Sequence, residues 1–281
     1  MKWSVVCDER WVDDARALGS VAAAIRPGAM LDRHFTAEGA EVLAVVGDDW
    51  TLGRVMTHFG EVRPDIATPP AILVVPRGDA APAGDGIAKR RGSLPKLRRR
   101  LAAGDAETAL VPTLRVVDSA ERHALLGFNI GLGLPFDFFE ARARTGRTGA
   151  VGNIDALVRL GRTTARQDLA EGDVWVDWIK RGERFRLLLA SAVGRTWFGV
   201  DMSTEPEGPG LRLGKSIVEV AEARSRVGRV LSRFTGHRAE PFDRIHIDTN
   251  VGYVLDGELF DPRSPRTIAI EAGPRVRFVV H

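Results

Sequence analysis

Two carboxylates and a hydroxyl follow one another where an apolar run ends, in Val45-Val46-Gly47-Asp48-Asp49-Trp50-Thr51-Leu52. A strand that breaks at a glycine and passes straight into a helix presents backbone N–H groups and the positive helix end to an anion. Asp49 also reads as an ordinary cap for a helix starting near Thr51, because Asp commonly satisfies free N–H groups there. A second candidate comes late in the chain, at Asp256-Gly257-Glu258. Asp-Gly is a strong two-residue hairpin signal. Turn and site are compatible, so Glu258 carries the chemical claim.

Other motifs fail on spacing. Gly210-Leu211-Arg212-Leu213-Gly214-Lys215-Ser216 looks like a phosphate-binding loop, but that motif needs four residues between its glycines. Gly210 supplies too few and Gly208 too many. The histidines His34, His58, His123, His237, His246 and His281 show no pairing at helical metal-ligand spacing. The single cysteine, Cys7, cannot build a disulfide framework and reads as a small buried residue on the first strand. No Gly-x-Ser-x-Gly elbow is present, which leaves a serine hydrolase without support.

The elements that must hold these residues are legible as patterns. Val42 to Val46 and Ile72 to Val75 are short continuous aliphatic runs, suited to parallel strands covered on both faces. Between them Leu52, Val55, Met56 and Phe59 fall on one stripe of a helix. Strand, turn, helix and strand predict a doubly wound α/β unit, whose ligands sit where strands end and helices begin. After a turn-rich stretch at 76–86 and a basic helix at 94–103, the texture changes. Short β-type segments follow at 114–117, 125–130, 174–179, 185–190, 244–247, 253–255, 267–271 and 275–280, with helices expected at 136–144 and 153–167. Many short strands divided by Gly, Pro and Asp predict an antiparallel sandwich or barrel. Trp175, Trp178 and Trp197 are expected to pack there, a lipid-facing role for one of them being the alternative.

At 281 residues the chain exceeds the usual single-domain size, so two domains are expected, 1–112 as α/β and 113–281 as antiparallel β-sandwich. No apolar stretch approaches the roughly 20 residues that cross a bilayer, and Asp8 falls where a signal peptide would stay apolar. A cytoplasmic protein is expected, with membrane association left open. The net charge is only +3 although the pI is about 9.4, a balance that does not call for nucleic acid. Lys89-Arg90-Arg91 and Lys96 to Arg100 concentrate basic charge. A solvated helix face explains them, and an anionic membrane or a phosphate is the alternative. Few aromatics interleave with them, so no nucleic-acid partner is expected.

The turn at Gly47 resembles the Gly-Gly-Asp-Gly-Thr turn of the diacylglycerol-kinase family of lipid kinases, relatives of sphingosine kinases and NAD kinases. Gly47, Asp49 and Thr51 fit it, while Asp48 and Trp50 replace two glycines. Further matches follow in family order. Pro76-Arg77-Gly78 resembles Pro-x-Gly-Thr, with Asp79 for the threonine, and Gly84 to Lys89 resembles Gly-Asn-Asp-Phe-Ala-Arg. Phe198 to Met202 resembles Phe-Gly-Gly-Gly-Met, and Asp256-Gly257-Glu258 matches the late Asp-Gly-Glu. Two family features are missing: Asp8-Glu9-Arg10-Trp11 stands for the early Asn-Pro-x-Ser-Gly loop, and Gly208-Pro209-Gly210 for an Asp-Gly metal site. The resemblance implies ATP and Mg²⁺ as cofactors, Gly47, Asp48, Thr51 and Gly78 as cofactor-side residues, and Asp49, Asp256 and Glu258 as catalytic, with Glu258 as general base. It implies phosphorylation of a diacylglycerol- or sphingoid-like lipid hydroxyl, with a lipid as partner and a peripheral membrane contact and homo-oligomer left open. The substituted loops imply the alternative of an inactive relative that binds lipid or a partner.

Overall fold

The computed structural model describes residues 2–26, 29–77, 99–100, 102–104, 107–145, 170–185, 187–193, 202, 209–214, 239–261 and 265–280. By internal packing the chain divides into two units, Met1–Thr113 with Pro274–His281, and Leu114–Gly273.

In the first unit the aliphatic runs form strands β1 (Trp3–Asp8), β2 (Val21–Ile25), β3 (Val42–Gly47) and β4 (Ala71–Pro76), all parallel to their neighbours. Every residue of β3 is buried, as a strand covered on both faces requires. Helix α1 (Val12–Leu18) follows a 3₁₀ turn at Glu9–Trp11 and sets Ala15 and Leu18 against Val5, Cys7, Val42, Ala44 and Val46. Cys7 is fully buried within that cluster, and burial raises its thiol pKa, which fits a packing residue and not a nucleophile. Helix α2 (Asp49–Thr57) packs along β3 and buries the expected stripe of Leu52, Val55 and Met56. Each such side chain contributes about 1.5–3 kcal/mol of burial. A π-helical turn, His58–Val62, continues it and buries Phe59.

Two more strands complete this sheet, β5 (Glu107–Val111) and the last of the chain, β18 (Val276–Val280). The order is β2-β1-β3-β4-β18-β5, with β18 parallel to β4 and β5 antiparallel to β18. The sequence reading kept everything after residue 113 in the sandwich. The final strand instead pairs in the first sheet, where Phe278 and Val279 are buried. An apolar run announces a strand but not the sheet it joins.

The second unit holds β6 (Leu114–Asp118), β7 (Leu125–Gly127), β8 (Asn129–Gly133), helix α3 (Leu134–Thr145), β9 (Ala170–Val176), β10 (Ile179–Phe185) and β11 (Leu187–Ser191). It continues with β12 (Gly210–Gly214), β13 (Glu240–Pro241), β14 (Arg244–Thr249), β15 (Tyr253–Leu255), β16 (Glu258–Phe260) and β17 (Arg266–Ala272). They form two antiparallel sheets, β10-β9-β14-β17-β6-β7 and β13-β12-β11-β8-β15-β16. Val116, Val174, Ile247 and Ile268 of one meet Ile130, Leu188, Tyr253 and Leu255 of the other in a single core, the packing of a β-sandwich. The alternate residues Leu187, Leu189 and Val254 are buried too, because Leu134, Phe138 and Phe139 of α3 cover them.

Three expected strands are each two. The run at 125–130 breaks at Phe128, that at 174–179 turns at Asp177-Trp178, and that at 185–190 spans the end of β10 and the start of β11. Trp178, expected to pack, is 86% exposed. The expected helix at 153–167, the segments at 84–89 and 198–201, Trp197 and Gly208 lie outside the described residues. Of the basic helix, residues 99, 100, 102 and 103 are described, and they are helical.

Candidate functional site

At the end of β3 the chain has no room for a side chain at Gly47. A Cβ there would stand 2.5 Å from the Thr51 hydroxyl. Asp48 then caps α2: its Oδ1 accepts from the Thr51 N–H and from the Thr51 hydroxyl, both at 3.1 Å. The sequence reading gave that cap to Asp49, which is instead the first helical residue and is buried. Trp50 is also buried, with the Arg54 guanidinium 5.9 Å from its ring centre.

The other Asp48 oxygen accepts from Arg10 Nη2 at 2.9 Å. Arg10 is a residue sequence reasoning passed over. Its Nε reaches both oxygens of Asp8 at 2.9 Å, and its Nη2 bonds Asp8 as well. The Asp8 side chain is fully buried whereas that of Arg10 is 53% exposed, so the guanidinium bridges an inner carboxylate to an outer one. Those hydrogen bonds to Asp8, foremost, raise the Arg10 pKa. Next along the sheet, the Arg77 N–H donates to the Gly47 carbonyl at 2.7 Å and Arg77 Nε pairs with Asp14 at 2.5 Å. The carboxyl ends of β1, β3 and β4 thus carry two sets of ion pairs, Arg10 with Asp8 and Asp48 and Arg77 with Asp14, at the position where open α/β sheets bind ligands.

The charge there matters for the implied cofactors. As folded, the turn does not fit a bare phosphate: the Thr51 donors are taken by Asp48, and among the described residues the carboxylates Asp8, Asp14, Asp48 and Asp49 outnumber Arg10 and Arg77 there. Among the described residues, no three His, Cys, Asp or Glu groups converge as metal ligands. Gly78 lies outside the described residues.

In the second unit, Asp256 and Gly257 turn β15 into β16, Leu255 pairing with Glu258. The Asp256 side chain folds inward. One oxygen accepts from Phe128 N at 2.7 Å and the other from Asn129 N at 2.9 Å, while its own N–H donates to the Asn129 carbonyl. These bonds divert the Phe128 and Asn129 amides from sheet pairing, which explains the break between β7 and β8. A Cβ at Gly127 would meet the Asp256 carboxylate at 2.6 Å, so that glycine is required by close approach. Burial pushes the Asp256 carboxyl up to about 7. The Phe128 and Asn129 donors pull it back, and nearby Glu258 adds to the rise. Asp256 and Glu258 are therefore electrostatically coupled, with Glu258 half-buried on β16.

A fully internal network lies behind β15. Asp118 accepts from Arg266 Nη1 at 2.9 Å and from the Tyr253 hydroxyl at 3.1 Å. Tyr253 stacks on Phe260 at 4.5 Å. Residues this far apart in sequence leave no local motif, and none was expected. Gly47, Asp48, Asp49 and Thr51 thus share one turn of the first unit, and Asp256 and Glu258 share one hairpin of the second.

No family model and no curated protein matches the chain. Solved structures do. A diacylglycerol kinase from Bacillus anthracis str. Sterne aligns over 99% of this chain and 96% of its own, at 12% identity and a TM-score of 0.60. A candidate diacylglycerol kinase from the same strain aligns over 100% and 97%, also at 12% identity, with a TM-score of 0.64. An NAD kinase from Archaeoglobus fulgidus, solved with ATP, aligns at 15% identity over 99% and 93%, with a TM-score of 0.49. The chain has the fold of the diacylglycerol kinases from end to end, as the ordered motifs implied.

Proposed function

We propose that the chain is a lipid kinase-like phosphotransferase acting on the hydroxyl of a diacylglycerol-like or sphingoid-like lipid. The observation that carries this reading is the diacylglycerol-kinase fold over the whole chain; we assign the general-base role to Glu258, on the β15–β16 hairpin, from the Asp-Gly-Glu resemblance alone. Glu258 takes the hydroxyl proton as the lipid oxygen becomes the nucleophile. Asp256 is a positioning residue, because its bonds to Phe128 and Asn129 fix the turn from which Glu258 starts. ATP with Mg²⁺ is the donor pair tested first; the resemblance assigns Gly47, Asp48, Thr51 and Gly78 to its side, with Asp49 catalytic beside them, and binding there requires Asp48 to release the Thr51 donors. A second reading, a non-catalytic lipid- or partner-binding protein of the same fold, is favoured by Asp48, whose oxygens are spent on Thr51 and Arg10.

Purified protein given ATP, Mg²⁺ and a panel of lipid alcohols is expected to yield a phosphorylated lipid. Glu258→Gln should lower that rate by a factor of about 100 or more at an unchanged melting temperature. Mg-ATP should raise the melting temperature of the native chain. No product and no thermal shift would overturn the kinase reading and leave the second one standing.

A further inference from the structure

The chain builds the same tight turn twice. At Asp256-Gly257 both residues have positive φ, 47° and 88°, and glycine takes the second place. At Asp177-Trp178 φ is again positive twice, 49° and 68°, with Val176 opposite Ile179, and tryptophan takes the second place. Glycine enters this backbone region freely and a bulky side chain is strained there. Packing does not offset the strain, because Trp178 is 86% exposed and Ile179 beside it 59% exposed. An observed outlier of this kind points to a use.

The tip is also rigid. Asp177 Oδ1 accepts from Asp243 N at 2.9 Å and Arg244 N at 2.8 Å, and the Asp177 N–H donates to the Arg244 carbonyl at 2.9 Å. The Arg244 guanidinium lies 5.8 Å from the Trp178 ring centre and forms no ion pair among the described residues. The rest of the β10 edge differs in character. Lys180 bridges Asp173 and Glu183, and Arg184 pairs with Glu171. Such a charged edge opposes strand pairing with a second copy, and its paired charges leave little net field. What the tip offers a partner is an indole, a neighbouring isoleucine and a guanidinium in no ion pair among the described residues, next to the exposed Asp243. An indole settles at the headgroup level of a bilayer, with its ring in apolar surroundings and its N–H wet. A guanidinium forks onto phosphate oxygens.

We propose that the β9–β10 hairpin tip docks the protein on a phospholipid bilayer, Trp178 and Ile179 entering the interfacial layer while Arg244 holds a headgroup phosphate. The docking is independent of whether lipid is phosphorylated, so it stands under either functional reading.

Flotation of the full chain with vesicles of phosphatidylcholine, and of phosphatidylcholine mixed equally with phosphatidylglycerol, tests it. Binding to both is expected, with a blue shift of tryptophan emission. Trp178→Gly suits the turn better than the native residue, so its melting temperature should hold or rise. Its vesicle affinity should nevertheless fall roughly tenfold and its emission shift should vanish. Trp178→Tyr should keep most of the affinity, and Arg244→Gln should lose about fivefold. Unchanged vesicle affinity in Trp178→Gly would overturn the proposal. So would absence of vesicle binding by the native chain, or a Trp178-dependent dimer in its place. Release by inorganic phosphate at matched ionic strength would also overturn it, by making the guanidinium alone the anchor.

Discussion

Asp256 shows how far one carboxyl can serve both fold and chemistry. Its ordinary value of 3.8 rises to about 7 through burial, against the pull of two backbone donors. Below pH 4 the folded and unfolded chains both carry the proton. Between there and about pH 7 the unfolded chain has lost it while the folded chain retains it. Folding then takes up a proton, and stability falls as pH rises. The loss is complete above the folded value and amounts to on the order of 4 kcal/mol. Thermal melts from pH 4 to pH 8 should therefore show a declining midpoint that Asp256→Asn flattens. Asn offers one acceptor where two N–H groups need one each, so that variant should also be less stable at pH 5 by about 1–3 kcal/mol. An unaltered pH slope in Asp256→Asn would show that another group carries the titration. The sequence marked Asp256-Gly257 as a turn because the dipeptide is local. It gave no sign that the carboxylate reaches Phe128 and Asn129, since those contacts span 128 and 127 residues.

The β3–α2 unit divides in the same way. Its strand, glycine break and helix stripe were readable, because an unbroken aliphatic run and a 3.6-residue period express themselves within a dozen positions. What the turn does with its carboxylates was not, because Arg10 lies 38 residues from Asp48 and meets it only through the parallel pairing of β1 with β3. The same pairing makes a mutational cycle informative. Asp48→Ala removes a cap and should cost about 1 kcal/mol. Asp48→Asn keeps the capping oxygen and should cost only a few tenths. Arg10→Ala strands the buried Asp8 carboxylate and should cost about 1–3 kcal/mol. Because both side chains share one guanidinium, Arg10→Ala with Asp48→Ala should be non-additive by about 0.5 kcal/mol or more in urea melts. Strict additivity would mean that the ionic bridge contributes nothing and that the cap alone organises the turn. If the turn receives nucleotide, Asp48→Asn should also enlarge the thermal shift given by Mg-ATP, by removing a charge that repels phosphate.

The chain as a whole closes on itself through its last strand. β18 sits between β4 and β5, so it supplies the whole partner ladder of β5, from Val276 opposite Val111 to Val280 opposite Glu107. It also carries Phe278 and Val279 into buried positions. Without it β4 acquires an open edge and β5 has no neighbour. Losing those two side chains from the interior removes about 3–6 kcal/mol of burial, against a net stability of roughly 5–15 kcal/mol for a whole domain. Among the described residues, the core cluster of 114–273 includes no side chain of this strand. Deletion of residues 274–281 should therefore unfold the first unit and spare the second. Limited proteolysis ought to cut within the first 113 residues and leave a resistant fragment near 114–273, still β-rich by far-ultraviolet circular dichroism. Any Mg-ATP thermal shift of the native chain should disappear with the same deletion, because the turn at Gly47 depends on β3, and β3 on β4 beside it. Resistance of the first 113 residues to protease in the deleted chain would show that β1 to β4 hold without β18, and that the return of the chain end does not decide whether the Gly47 turn exists.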